Sequence, residues 1–307
     1  MSLAVEKIIA DLVNTEQVLR NSLLVDLSSL GSEELKLLQQ AWANIELKRR
    51  RQIIYRLVEL AEDNCELDFD SIFRNCLKDR DADIRSKAVE GLWESEDASL
   101  INLFINLLEQ DSSVDVQVAA AAALGKFAML AELNKLRSCY TARICQALLI
   151  VFSDENRAVE VRCRALEAVA PLNLPQVGKI ISEAYHSHSR KFKISAIYAM
   201  GKNCNSSWLP VLLEELSSAD TEICCEAAGA CGELGEEEAV PYLRKLIGDS
   251  DFDVPVEVLQ ALGKIGGSEA KKCLQQCLNN PKEIVRQAAE QALDELEAEE
   301  TPGTPRM

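Results

Sequence analysis

Eleven cysteines and two histidines are the residues most able to hold a metal or attack an electrophile in this chain of 307 residues. A zinc site needs a C-x2–4-C pair matched by a second pair or by histidines. Cys273 and Cys277 supply one half of that pattern, with Cys224, Cys225 and Cys231 upstream, but no histidine lies in the region. Cys231 falls in a column of core positions, where a thiol behaves as a small hydrophobe. Cys163 and Cys225 fall on a solvent-facing column, with no neighbouring base to ionise them. His186 and His188 sit in YHSHSRK at a corner, which suits a solvated turn better than a general base. No nucleophile elbow, P-loop, dinucleotide fingerprint or HExxH occurs. These residues predict no catalytic site, no metal site and no cofactor.

Basic side chains are the other candidates. The run KRRR at 48–51 holds Arg49 and Arg50; Arg85 lies with Lys87, Arg162 with Arg164, and Arg190 and Lys191 with Lys193. All fall near the starts of expected helices. Aligned, Arg49, Arg50, Arg85, Arg162, Arg164, Lys191 and Lys193 form a basic edge for an acidic peptide or a phosphorylated partner. They are equally placed to pair with corner aspartates such as Asp79, Asp81 and Asp154.

What positions these groups is a repeat, most legible at 220–250: a helix, a glycine-marked corner, a second helix and an aspartate-marked corner. With Ile223 as position 0, the other anchors are Ile84, Val116, Val161, Phe192, Val254 and Val285, spaced by 31 residues from Val161 onward. A fixed period of this size signals a solenoid. Position 4 is Ala in every copy except Val258, position 7 is Ala or Gly, and position 8 is a larger apolar residue from Leu92 to Leu293. Positions 0, 4, 7 and 8 share one helix face. No single hairpin can bury that face, so the hairpins must stack. Positions 2, 6 and 9 then lie opposite the packed face. Between Val118 and Val256 that column is apolar or small rather than charged, and an apolar strip rimmed by charge marks a binding surface. Its expected contacts are Trp93, Val118, Cys163, Ile194, Tyr198, Cys225, Val256 and Gln260. A strip of this kind suits a partner helix or extended segment; crowding on a concave wall would also disfavour large polar side chains there.

Helices are expected at 3–24, from Ser32 as N-cap, at 47–62, and then in pairs to 298, for an all-α solenoid of about eight helix hairpins. One array is expected over 1–300, with 1–65 a divergent N-terminal cap, 66–298 the repeats and 301–307 a disordered tail. The step from Val116 to Val161 is 45 residues, so 127–141 should hold a longer loop or a lengthened helix. The net charge of −17 is concentrated in 204–300, where 21 Asp+Glu face 7 Lys+Arg. That balance disfavours nucleic acid, which needs clustered Lys/Arg, and permits a basic protein partner. The N-terminal stretch lacks a basic leader, and no uninterrupted apolar run reaches the ~18 residues of a membrane span. A cytoplasmic, acidic protein with reduced thiols is the expectation.

The unit DxxVRxxAxxALGxLG followed by xxAVPxLxxLL, best kept at 220–247, 251–278 and 285–296, resembles a HEAT repeat, of the subtype first described in phycobilisome lyases. The resemblance implies a right-handed superhelix whose second helices line the concave side, used as a scaffold or adaptor for a protein or peptide by a monomer or weak homo-oligomer. It also implies an alternative, lyase-like or chaperone-like handling of a tetrapyrrole or other cofactor. The family's Arg at position 1 is matched by Arg85, Arg162 and Arg286, and by Lys193, but not at Gln117, Cys224 or Pro255.

Overall fold

Six of the seven corners open with a short polar side chain five residues before the anchor, Asp79, Asp111, Ser187, Ser218, Asp249 and Asn280, and the corner before Val161 uses Asp154. The side-chain oxygen accepts the backbone N–H two residues on, as in Asp79 to Asp81 and Asp111 to Ser113, both 2.9 Å. Such turns end one helix and aim the next. The computed structural model, which describes residues 2–14 and 17–300, is 74% helix. No strand occurs among the described residues. The chain divides into two compact units, Met1–Ala168 and Val169–Met307.

In the first unit α1 (Ser2–Val13) and α2 (Asn21–Val25) precede three complete hairpins: α3 (Ser32–Trp42) with α4 (Leu47–Asp63), α5 (Asp70–Cys76) with α6 (Ala82–Gly91), and α7 (Ser99–Gln110) with α8 (Val114–Glu132). A fourth is formed by α9 (Ser138–Ser153) and α10 (Val159–Val169), whose last residue belongs to the second unit. There α11 (Pro175–Tyr185) pairs with α12 (Arg190–Asn203), α13 (Leu209–Glu215) with α14 (Thr221–Leu234), α15 (Val240–Leu246) with α16 (Asp253–Ile265), and α17 (Gly267–Cys277) with α18 (Glu283–Glu300). The expected eight hairpins of an α-solenoid are present.

Three local expectations change. The single helix over 3–24 is two helices, α1 and α2; Asn14 and Gln17 are not helical, and their carbonyls, with that of Leu12 at the end of α1, accept from the buried Arg49 guanidinium. Gly31, not Ser32, is the N-cap of α3, and the Glu34 carboxylate accepts from its N–H at 3.0 Å. The first helices carrying Pro210 and Pro241 start as short 3-10 turns, Ser206–Trp208 and Glu237–Ala239. Proline at the first helical turn lacks only an N–H that would be orphaned there. The tail expected to be disordered, 301–307, lies outside the described residues.

The added length at 127–141 is absorbed by helix rather than loop. α8 runs 19 residues and α9 runs 16, against 14 and 7 for α14 and α13. Phe127, Ala128 and Leu130 of the extension are buried. By length and composition α8 is the one described helix able to cross a membrane. In the fold it is a core helix interrupted by Asp115, Gln117 and Lys126, with Val116, Ala120, Ala121 and Leu124 inaccessible.

The second helices pack directly on one another, and the glycines at position 9 set how closely. A Cβ on Gly201 would lie 2.8 Å from the Ala230 Cα, and one on Gly232 2.8 Å from the Ala261 Cα. Gly125 faces Ala168 at 3.1 Å and Gly263 the Ala292 Cβ at 3.1 Å. Position 9 of one helix thus rests on position 7 of the next, and only glycine against alanine permits that approach.

Candidate binding groove

A second helix stacked in this way has one free face. At about 100° per residue, positions 0, 4 and 8 face the hairpin partner at 0–80°, position 7 faces the preceding repeat at about 340°, and position 9 faces the following one at about 180°. What remains, about 240–300°, is occupied by positions −1, 3, 6 and 10. The inner wall is therefore rotated from the expected columns 2, 6 and 9. Position 9 is seam, position 2 lies at the margin, and of the three only position 6 falls on the free face.

In the first unit this wall forms a groove of about 950 Å³ across α4, α6, α8 and α10. Its floor is Val118, Ala119, Ala122 and Ala123 of α8, with Val89 and Leu92 of α6 beside it. Tyr55 and Trp93 stand at its edge, 43% and 54% exposed. Trp93 occupies position 9, where the copies at Gly125, Gly201, Gly232 and Gly263 carry the seam glycine, and its indole is left at the surface.

Charge frames the floor. Glu62, Asp83, Glu90 and Asp115 line the groove with Lys87, Lys126 and Arg164. Lys87 pairs with Glu90, which raises its pKa, and lies 5.0 Å from the Tyr55 ring centroid. Asp83 pairs with Arg51 at 2.8 Å and Arg164 with Glu167 at 2.9 Å. The Lys126 ammonium donates to the Trp93 carbonyl at 2.5 Å, and burial lowers its pKa.

Of the expected strip, Trp93 and Val118 line this groove and Cys163 does not, being buried between helices at 8% exposure. In the second unit Tyr198 is exposed and Gln260 half-buried at position 6, while Ile194, Cys225 and Val256 are half-buried at the margin. The inner wall there is charged rather than apolar. Tyr198 shares a cleft of about 190 Å³ with Lys202, Glu226, Gly229, Glu233, Glu257 and Lys264. Glu233 bridges Lys202 at 3.0 Å and Lys264 at 2.8 Å. Burial pushes Glu233 up, but the two ammonium groups outweigh it and hold the carboxyl below its ordinary range. Glu257 has no such pair, and burial raises it. The missed residues are the columns at −1, 3 and 10. Position 10 reads Glu94, Lys126, Pro171, Lys202, Glu233, Lys264 and Glu295, and the alternating sign from Lys202 onward was visible in the sequence at the same 31-residue period.

The basic edge is not a free surface. Arg49 is buried on the carbonyls noted above. Arg50 donates to Asp79, as does the Trp42 indole at 2.7 Å. Position 1 is a clamp on its own corner: Arg85 donates to the Asp79 carbonyl at 2.8 Å, Arg286 to Asn280 at 2.7 Å and Arg162 to Phe152 at 2.8 Å. Where arginine is absent, the Gln117 amide donates to the Asp111 carbonyl instead. Arg85 also forks onto Asp111 with two 2.7 Å bonds, and that pairing raises its pKa. Lys193 pairs with Glu215 at 2.8 Å, Arg164 with Glu167, and Lys191 is exposed. At the corners the electrostatic reason is common: a corner presents unsatisfied carbonyls and carboxylates, and the nearest guanidinium or amide answers them.

None of the eleven cysteines is in a disulfide. Cys273 and Cys277, one turn apart, share a hydrogen bond that lowers Cys273 to about 7 and pushes Cys277 up. Among the described residues no group of three or more His, Cys, Asp and Glu could hold a metal ion. The exposed His186 has its Nδ1 2.8 Å from the Ser182 carbonyl oxygen.

No curated protein sequence is detectably similar to this chain. Among solved structures, importin beta matches with a TM-score of 0.50 and 14% identity over 95% of this chain and 46% of that one. The CpcE–CpcF complex of phycocyanin lyase from Nostoc sp. gives 0.48 and 17% over 75% and 94%, and human deoxyhypusine hydroxylase gives 0.36 and 20% over 96% of each chain. At these identities the likeness is one of fold. The family model for HEAT repeats matches residues 71–146 and 209–294, just over half of the sequence, and the chain belongs to the HEAT-repeat family.

Proposed function

We propose that the protein is a non-catalytic binding scaffold that holds a segment of a partner protein in the groove of its first unit. The observation that carries this reading is the exposure of Tyr55 and Trp93 over a floor of Val118, Ala119 and Ala122. Two aromatic rings at the edge of a shallow apolar surface are the anchors that dominate protein interfaces. HEAT-repeat proteins generally bind proteins, which agrees with that use. The absence of any disulfide suits action in a reducing compartment such as the cytoplasm.

The test is site-specific photocrosslinking in the native cell. A benzophenone side chain at Ala122 should yield a discrete adduct with a partner, lost when Trp93→Ala is added. The same probe at Glu109, on the first-helix side of the hairpin, should not. Identical adducts from both positions would reject the groove.

A further inference from the structure

We infer that the groove's occupant is a basic amphipathic helix, with one apolar stripe flanked on both sides by Lys or Arg; this rests on the binding role proposed for the same groove. The dimensions set the secondary structure. The wall crosses four second helices, α4 to α10, and three interaxial steps of 8–10 Å span about 27 Å, or roughly 18 helical residues. From Asp115 to Lys126 the groove's rims are eleven residues apart along α8, about 16 Å, room for one helix of about 10–12 Å diameter. Filled cylinders of that width take about 140 Å³ per residue, so about 950 Å³ embeds only a third to a half of an 18-residue helix. One face is buried and the rest stays in water, which is the demand an amphipathic helix meets.

The charge pattern sets the flanks. Once internal pairs are removed, Lys87 answers Glu90, Arg51 answers Asp83 and Arg164 answers Glu167. Glu62 at the C-terminal end of α4 and Asp115 at the N-terminal end of α8 hold no ion pair and are exposed, one on each rim. Glu94 and Glu96 add negative charge beside Lys126 on the Glu62 side. An acidic helix would bring carboxylates against these groups, whereas Lys or Arg flanks would complete them. The exposed Trp93 indole offers the same cations a second contact.

Three 18-residue peptides with one leucine stripe and Lys, Gln or Glu flanks test this by fluorescence anisotropy against the whole protein. The Lys-flanked peptide should bind at least tenfold tighter than the Gln-flanked one at low salt, and the Glu-flanked peptide more weakly than either. Raising ionic strength should narrow the gap. Glu62→Gln with Asp115→Asn should remove most of the Lys preference, and Ala122→Gln, which raises the floor, should weaken the Lys and Gln peptides alike. Equal affinity for all three flanks would overturn the basic partner while leaving the groove. So would a Lys preference that survives Glu62→Gln with Asp115→Asn, since the peptide would then be held elsewhere on an acidic surface. Binding that is indifferent to Ala122→Gln would sink the groove reading itself, and no binding by any peptide would refute the helical occupant.

Discussion

Replacing Gly232 by alanine should destabilise the second unit, although alanine is the better helix former. The residue lies within α14, where alanine is worth about 1 kcal/mol over glycine from propensity alone. Against that stands the seam. The new Cβ would lie 2.8 Å from the Ala261 Cα, 3.1 Å from its Cβ and 3.4 Å from its carbonyl oxygen. Carbon atoms rest at about 3.5–4.0 Å, so α14 and α16 must separate by roughly 0.7 Å. The obstacle is backbone, which cannot rotate away as a side-chain tip can. Forcing a methyl into such packing costs about 1–3 kcal/mol, leaving a net loss of about 1 kcal/mol. Gly178 supplies the control: it lies inside α11 with nothing nearer to a Cβ than Trp208 at 3.9 Å. Gly178→Ala should stabilise by about 0.5–1 kcal/mol. Thermal unfolding followed by circular dichroism should therefore move in opposite directions for two chemically identical changes. A rise in midpoint for both would mean that the helices do not meet as closely as the glycine column permits, and the stacking argument would fail.

Three further outcomes follow from single sites. The buried Asn203 amide donates to the Ala170 and Leu172 carbonyls at 2.8 and 3.3 Å and accepts from the Trp208 indole at 3.1 Å. Asn203→Ala should cost about 1–3 kcal/mol by urea unfolding, since the buried Ala170 carbonyl and the half-buried Trp208 indole lose this partner, while the Leu172 carbonyl keeps the Leu174 N–H. Arg190 holds the Asp220 carboxyl down to about 2. Because the folded value is depressed below the ordinary ~3.9, the stabilisation is present above pH ~4 and is lost as pH falls toward 2. The midpoint difference between wild type and Asp220→Asn should shrink to nothing across that window, and a constant difference would assign the effect to capping alone. A maleimide at neutral pH should label the exposed Cys65, Cys139 and Cys204 long before Cys231, whose thiol burial raises to about 12. Mass mapping that finds Cys231 among the first sites would contradict the core assignment.

The columns that a reader of the sequence can see most easily are those that bury, because burial restricts residue type. Small residues at 4 and 7 and a large apolar residue at 8 located the second helices from α6 onward and predicted the stacking. The inner wall was harder to place because a stacked helix packs on three sides, and a column opposite the core is not the column facing solvent. Gly201 and Gly232 looked like small residues on an open wall, yet they are the closest contacts between repeats. The charged column at 10, one residue later, is the one left to solvent, and its Lys–Glu alternation in the second unit balances itself there. In the first unit the same face runs over Val118, Ala119 and Ala122, with carboxylates at its margins left unpaired. That difference between two stretches of one repeat is the argument for where a partner binds. A scaffold needs seams everywhere, but it needs an apolar floor and unanswered charge only where something else completes them.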